Sequence, residues 1–158
     1  MGTNFSFENS FKTSILDDTY KSLDASIIDI SIPSINIGNI RIETPVVPMQ
    51  IIGSSFELDP IAIKFMLEED YANWITIFNW MNVLRGFHEI DMDTSRVTDI
   101  AIHILTNKLN YGFAIVLEDC YPISLSDIPL TPQISEDTPL TFTANFVINN
   151  IKLDQQES

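Results

Sequence analysis

The sequence predicts a mostly β fold of the α+β class, an antiparallel β-sandwich or barrel carrying one amphipathic helix. Several stretches alternate Ile or Phe with polar residues at period two, one stretch switches to a period near 3.6, and no strand–helix–strand series recurs. At 158 residues the chain fits one domain with enough length to bury a sizeable core. The expected organisation is an N-terminal arm over 1–23, a single β-rich domain over 24–153 and a polar tail over 154–158.

Residues 1–23 mix Phe5, Phe7, Phe11 and Ile15 with polar residues and show no clean period. They read either as a partly ordered terminus or as an arm that orders against a neighbouring subunit. On that reading, removing residues 1–20 weakens assembly more than folding. From Ser26 to Ile32 the alternation suggests a strand, Pro33-Ser34 can break it, and Ile35 to Glu43 resumes it, most simply as a hairpin. Residues 44–60 carry Pro45, Pro48 and Pro60 among apolar residues. Proline denies its N–H to a ladder, so this is an edge strand or a loop, which either covers the core or touches a partner.

Ile61 to Leu67 is a strong strand with Ile61, Ile63, Phe65 and Leu67 on one face. After Glu68-Glu69-Asp70 the period lengthens, and Tyr71, Trp74, Ile75, Phe78, Met81 and Leu84 make one helical stripe. The acids suit the start of a helix, Arg85 its last turn and Gly86 its C-cap. Trp80 lies at the margin of the stripe, where it either widens the core face or marks a binding surface. Residues 87–96 read as a polar connector, 97–106 and 111–117 as an antiparallel hairpin, and 118–139, with Pro122, Pro129, Pro132 and Pro139, as a long connection without a regular strand. Leu140 to Ile148 alternate in a final strand, and Asn149 to Ser158 taper into a polar tail, giving about six strands.

Eight Lys and Arg stand against 22 Asp and Glu, a formal charge of −14, with the cations spread singly. A phosphate-binding groove needs several converging cations, so sequence-specific nucleic-acid binding is not expected. The 45% hydrophobic content argues against disorder. No charged leader with an apolar run is present, and Lys64, His88, His103 and Lys108 interrupt apolar segments before a spanning length of about 20 residues, so membrane insertion is not expected. Cys120 is the only thiol, which excludes an intrachain disulfide and a CxxC site.

The search for chemistry returns no catalytic, cofactor-binding or metal-binding residue and no cofactor. His88 with Glu89, Asp91 and Asp93 lacks the glycine turn and closing Glu of an EF-hand loop, and reads as a solvated acidic loop. His103 sits opposite in parity to Ile100, Ile102 and Ile104, where a hydrogen bond or interface role suits it better than general-base work. Glu68-Glu69-Asp70 and Glu118-Asp119 read as a helix start and a strand end, and Gly53-Ser54-Ser55 as no phosphate cradle. An interaction role remains: open sheet edges invite uncontrolled pairing, and a closed ring of like subunits uses them up.

The stretches GSSFELDPIAIKFMLEEDYANWITIFNWMNVLRG (53–86) and DTPLTFTANFVINNIKL (137–153) resemble the tail-tube protein family of contractile-tailed bacteriophages. Phe56 with Ile61, Ile63 and Phe65 is similar to that family's strand, Glu68-Glu69-Asp70 to its acidic turn, and Trp74, Phe78 and Trp80 to its helix. The resemblance implies a non-enzymatic structural subunit of the virion, assembled in the bacterial host cytoplasm. Its subunits would form hexameric rings that stack inside a tail sheath on a baseplate, around an often acidic lumen through which DNA passes without specific binding. The first 23 residues and the proline-rich 44–60 segment depart from the family pattern, which leaves a baseplate tube-initiator or a tail-terminator relative as the alternative.

Overall fold

Alternating strands put their apolar side chains on one face, and in the computed structural model those faces meet in a single core. The structure describes residues 11–42, 49–86, 96–105, 111–131 and 139–155. In chain order these form β1 (Phe11–Ile15), a 3₁₀ helix (Lys21–Ser26), β2 (Ile27–Asp29), β3 (Ile35–Ile42), β4 (Met49–Leu58), β5 (Ile61–Met66), α1 (Ala72–Arg85), β6 (Thr98–Leu105), β7 (Tyr111–Leu125), β8 (Thr141–Val147) and β9 (Asn150–Gln155).

All strand pairs are antiparallel. One layer runs β1-β6-β7-β9 and the other β2-β5-β8-β7, with the long strand β7 serving both. The first layer contributes Ile15, Ile100, Ile102, Ile115 and Leu117 to the core, and the second Ile61, Ile63, Phe65, Phe142, Ala144 and Phe146. β3 and β4 pair only with each other, as a separate ribbon. The mostly β sandwich with one longer helix is the architecture expected.

The aromatic residues tie the helix to the layers. Trp80 stacks on Tyr20 at 3.8 Å between ring centroids, meets Phe146 edge-on at 5.7 Å, and donates its indole N–H to the Arg96 carbonyl at 2.8 Å. Trp80 is therefore a core residue with its polar atom satisfied, as a buried indole requires. Trp74, Met81 and Leu84 of the expected stripe pack against the core, but the fully buried positions are Asn73, Ile77 and Trp80, and Ile75 and Phe78 are nearly half exposed. The helix is apolar on almost every side, so periodicity alone did not single out its inner face.

The acids before α1 lie outside its first turn. Tyr71 is the N-cap, in a left-handed conformation at φ 60°, and buried Asn73 holds the turn by accepting from the Glu68 N–H at 3.3 Å and donating to the Met66 carbonyl at 2.7 Å. Asp70 accepts from the Ala72 N–H at 3.1 Å. Gly86 does occupy the C-cap, but at φ −80° it does not use glycine's conformational freedom.

Several other expectations are corrected. Ser26 ends the 3₁₀ helix and β2 stops at Asp29, so there is no strand through Ile32 and no hairpin with 35–43: β2 pairs with β5, and β3 with β4. Most of the proline-rich segment forms β4, an edge strand whose span 49–58 falls between its prolines. Glu118-Asp119 does not end a strand, and β7 continues through Pro122 to Leu125 because register shifts absorb the irregularity at both places. Asn150 to Gln155 is not tail but β9, paired along β7. Nine strands are thus described where about six were expected. The connector at 87–95 and the turn at 107–110 lie outside the described residues.

Residues 11–23, read from sequence as part of an arm, supply β1 and the core residues Ile15, Tyr20 and Leu23. Asp24 fastens this segment by accepting from the Ile15 N–H at 2.8 Å, and burial pushes its carboxyl above the ordinary value against that bond and the charges of Lys21 and Lys12. Removing residues 1–20 is therefore expected to lower monomer stability severely, together with any assembly, since it strips an edge strand and the partner of Trp80. A thermal melt of the truncated chain within a few degrees of the full-length one would refute this.

Burial pushes Tyr20 up from 10.0 to about 12, and the Cys120 thiol up from 9.0 to about 12. Both are neutral acids held in their protonated form, so their stability contribution is complete below pH 9 and is lost as pH rises through the folded values. Urea midpoints are expected to fall steadily from pH 9 to 12, with Tyr20→Phe flattening part of the slope.

Candidate assembly surface

The first layer has two edges fit to accept another strand. Among the described residues β1 pairs only with β6 and β9 only with β7, and neither strand contains proline. The second layer is blunted at both sides: β2 has three residues and a register shift, and the second half of β7 carries Pro122. Short, irregular or proline-bearing edges resist pairing. Three antiparallel steps separate β1 from β9, so these edges run in opposite directions. A second copy related by rotation can therefore place its β1 antiparallel to β9.

Leu153 on β9 is 62% exposed although its register partner Ile115 is in the core. It is an apolar side chain at the rim with room for a neighbour. Other exposed apolar groups lie elsewhere: Ile35 and Ile37 of the ribbon with Phe56 opposite Ile37, and Ile75 and Phe78 on α1. Beside the helix, Tyr71, Trp74, Ser126, Asp127, Ile128 and Leu130 line an open groove of about 320 Å³.

The outer face of the first layer is set by strand register. Lys12, His103, Ala114 and Asp154 form one cross-strand row, and Ser14, Ala101, Val116 and Lys152 the next. Ala101, Ala114 and Val116 are buried without belonging to the core, small side chains between larger neighbours. His103 stands on this face, as its parity indicated.

At the bend, Asp119 takes φ 54° and its N–H donates to the Asp99 carboxylate at 3.0 Å. Opposite, Asn149 donates its backbone N–H to the Glu118 carbonyl at 3.1 Å and its side-chain amide to the Asp119 carbonyl at 2.7 Å. Glu118 accepts from the Asn150 amide at 3.1 Å and lies 3.8 Å from the Lys152 ammonium, an exposed pair that contributes at most about 1 kcal/mol. These carboxylates build a corner rather than an acid/base pair. Cys120 is buried there and donates to the Leu117 carbonyl.

His88, Glu89, Asp91 and Asp93 lie outside the described residues. Among the described residues no group of three or more His, Cys, Asp or Glu could hold a metal ion, and no helix is long and apolar enough to cross a membrane. Gly53-Ser54-Ser55 lies within β4 and not at a helix start. The sequence reading missed β9, although Ile151 and Leu153 alternate there with Asn150, Lys152 and Asp154. It also missed Asn73, whose signal was a lone amide on the inner side of an apolar helix.

No protein-family model matches the sequence, and no curated protein matches it. Solved structures share the fold. The tube-terminating cap of the anti-feeding prophage is 11% identical, covering 99% of this chain and 95% of its own, with a TM-score of 0.68. The baseplate of the same prophage is 13% identical over 97% of both chains, with a TM-score of 0.65. The sheath–tube complex of an extracellular contractile injection system is 13% identical over 96% of this chain and 92% of its own, with a TM-score of 0.60. The fold is that of components of contractile injection systems.

The corner makes a local prediction. Asp119 is exposed, and its side chain is not needed for the backbone bonds that fix the bend. Asp119→Gly is expected to be neutral or to stabilise by up to about 1 kcal/mol, and Asp119→Val to destabilise by about 1–2 kcal/mol, because only the branched residue resists positive φ. Urea unfolding of the two variants measures the difference.

Proposed function

We infer that the chain is a structural subunit of a contractile-tail tube, and that copies join edge to edge into a closed ring, most simply of six, which stacks around a lumen. The observation that carries this reading is the first layer itself: an even-stranded antiparallel sheet whose two outer strands are proline-free, opposed in direction and open. Pairing β9 of one copy with β1 of the next preserves the antiparallel alternation at every seam. Such a head-to-tail contact closes on itself when the rotation does. The shared fold with a baseplate, a terminating cap and a sheath–tube complex supports the same reading.

On this reading the tail sheath and baseplate proteins are the partners, and the virion, after assembly in the bacterial host cytoplasm, is the location. The likeness to a baseplate and a cap favours a second role on the same fold, a tube initiator or terminator that stops after one layer. Mixing the subunit with its sheath and baseplate proteins and imaging whether it extends or stops separates the two.

Leu153 provides the test of the seam. Leu153→Glu is expected to leave monomer stability within about 0.5 kcal/mol, since the side chain is exposed, yet to abolish ring formation by placing a charge in the junction. Urea melts and negative-stain images of the same preparation check both halves. Rings that form normally with Glu at this position would refute the β1–β9 seam.

A further inference from the structure

We propose that the outward stripe of α1 and the groove beside it form a docking site for a basic amphipathic segment of a different polypeptide, one that presents a few apolar side chains flanked by lysine or arginine. None of the site's residues belongs to β1 or β9, so it stands whether or not copies close into rings.

The helix carries more apolar surface than the core uses. Asn73, Ile77 and Trp80 are buried, and Met81 and Leu84 pack on the core beside them. Tyr71, Trp74, Ile75 and Phe78 fall at i, i+3, i+4 and i+7, the spacing of a second helix face. Ile75 and Phe78 are 45% and 46% exposed, and the half-buried Trp74 stacks on Phe78 with ring centroids 5.3 Å apart. Across the groove stands the chain that leaves β7, where Ile128 packs on the core and Leu130 is 73% exposed. Single exposed apolar residues are ordinary, but a helical stripe facing a second apolar wall is shaped for a partner's apolar face. The space between the walls, about 320 Å³, holds a few aliphatic side chains.

Charge selects the occupant. Asp127 lines the groove, and Glu68, Glu69 and Asp70 are exposed in the turn that delivers Tyr71. Among the described residues no lysine or arginine lines it. A second copy brings a formal charge of −14 to this rim and is repelled, whereas a segment with lysine or arginine beside its apolar residues meets opposite charge there.

The test uses the full-length chain and a synthetic helical peptide with leucines at i, i+3, i+4 and i+7 and lysines elsewhere. A leucine–glutamate peptide of the same pattern and a lysine–serine peptide serve as controls. The chain has two tryptophans and Trp80 is 1% exposed, so acrylamide quenching reports on Trp74. The leucine–lysine peptide is expected to shield Trp74 and to bind at least about tenfold more tightly than either control. Leu130→Ser is expected to weaken it at least about tenfold and Asp127→Lys about threefold, with circular dichroism and urea melts unchanged because both side chains are exposed. Equal affinity for the lysine–serine peptide, or binding undiminished by Leu130→Ser, would show charge attraction alone and overturn the site. Equal affinity for the leucine–glutamate peptide would overturn the basic character of the partner. Self-association of the free chain in sedimentation, lost with Leu130→Ser, would make a second copy the occupant and overturn the proposal, as would the absence of any shielding of Trp74.

Discussion

The structure depends on one bend. β7 passes from the first layer to the second at Asp119, and the run from β8 to β9 bends beside it at Ile148-Asn149, so that two paired strands turn the corner together. The turn interrupts the ladders, and side chains take over their bonds: the Asp119 N–H donates to the Asp99 carboxylate, and Asn149 donates its backbone N–H to the Glu118 carbonyl and its amide to the Asp119 carbonyl. Without that corner the two layers would be separate sheets, and Ile148 and Cys120 would have no interior to enter.

The corner also decides where the chain is open. Carrying β7 into the second layer leaves β9 alone at the rim of the first, because β5, which flanks β8, does not continue alongside it. On the far side β1 is held by its ladder to β6, by Asp24, and by the Thr98 hydroxyl that accepts from the Asp17 N–H. One layer thus keeps two regular edges while the other is spoiled by shortness, a register shift and proline. Among the edges of the two layers, β1 and β9 are therefore the ones open to regular pairing.

Sequence reasoning found what period two can reveal. Ile61, Ile63 and Phe65, Ile100 and Ile102, and Phe142, Ala144 and Phe146 were all legible as inward faces, because alternation and burial coincide there. It failed where a tertiary partner overrides a local signal. Glu118-Asp119-Cys120-Tyr121-Pro122 looks like the end of a strand, and only the matching bend opposite makes it strand. Residues 150–155 look like tail until β7 offers them a ladder, and Tyr20 looks like arm until Trp80 lies 3.8 Å away. The open edges could not be read at all, since an edge is defined by what fails to pair with it.

A strongly acidic chain with apolar rims has to reconcile two opposed tendencies. A net charge of −14 keeps free copies apart in dilute solution, most strongly at low salt, while Leu153, Ile35, Ile37, Phe56 and Phe78 favour contact. Repulsion between like-charged copies acts over about a Debye length, whereas backbone hydrogen bonds and apolar burial act only at contact, so any association of copies has to begin against the net charge and be held by the exposed apolar groups once contact is made.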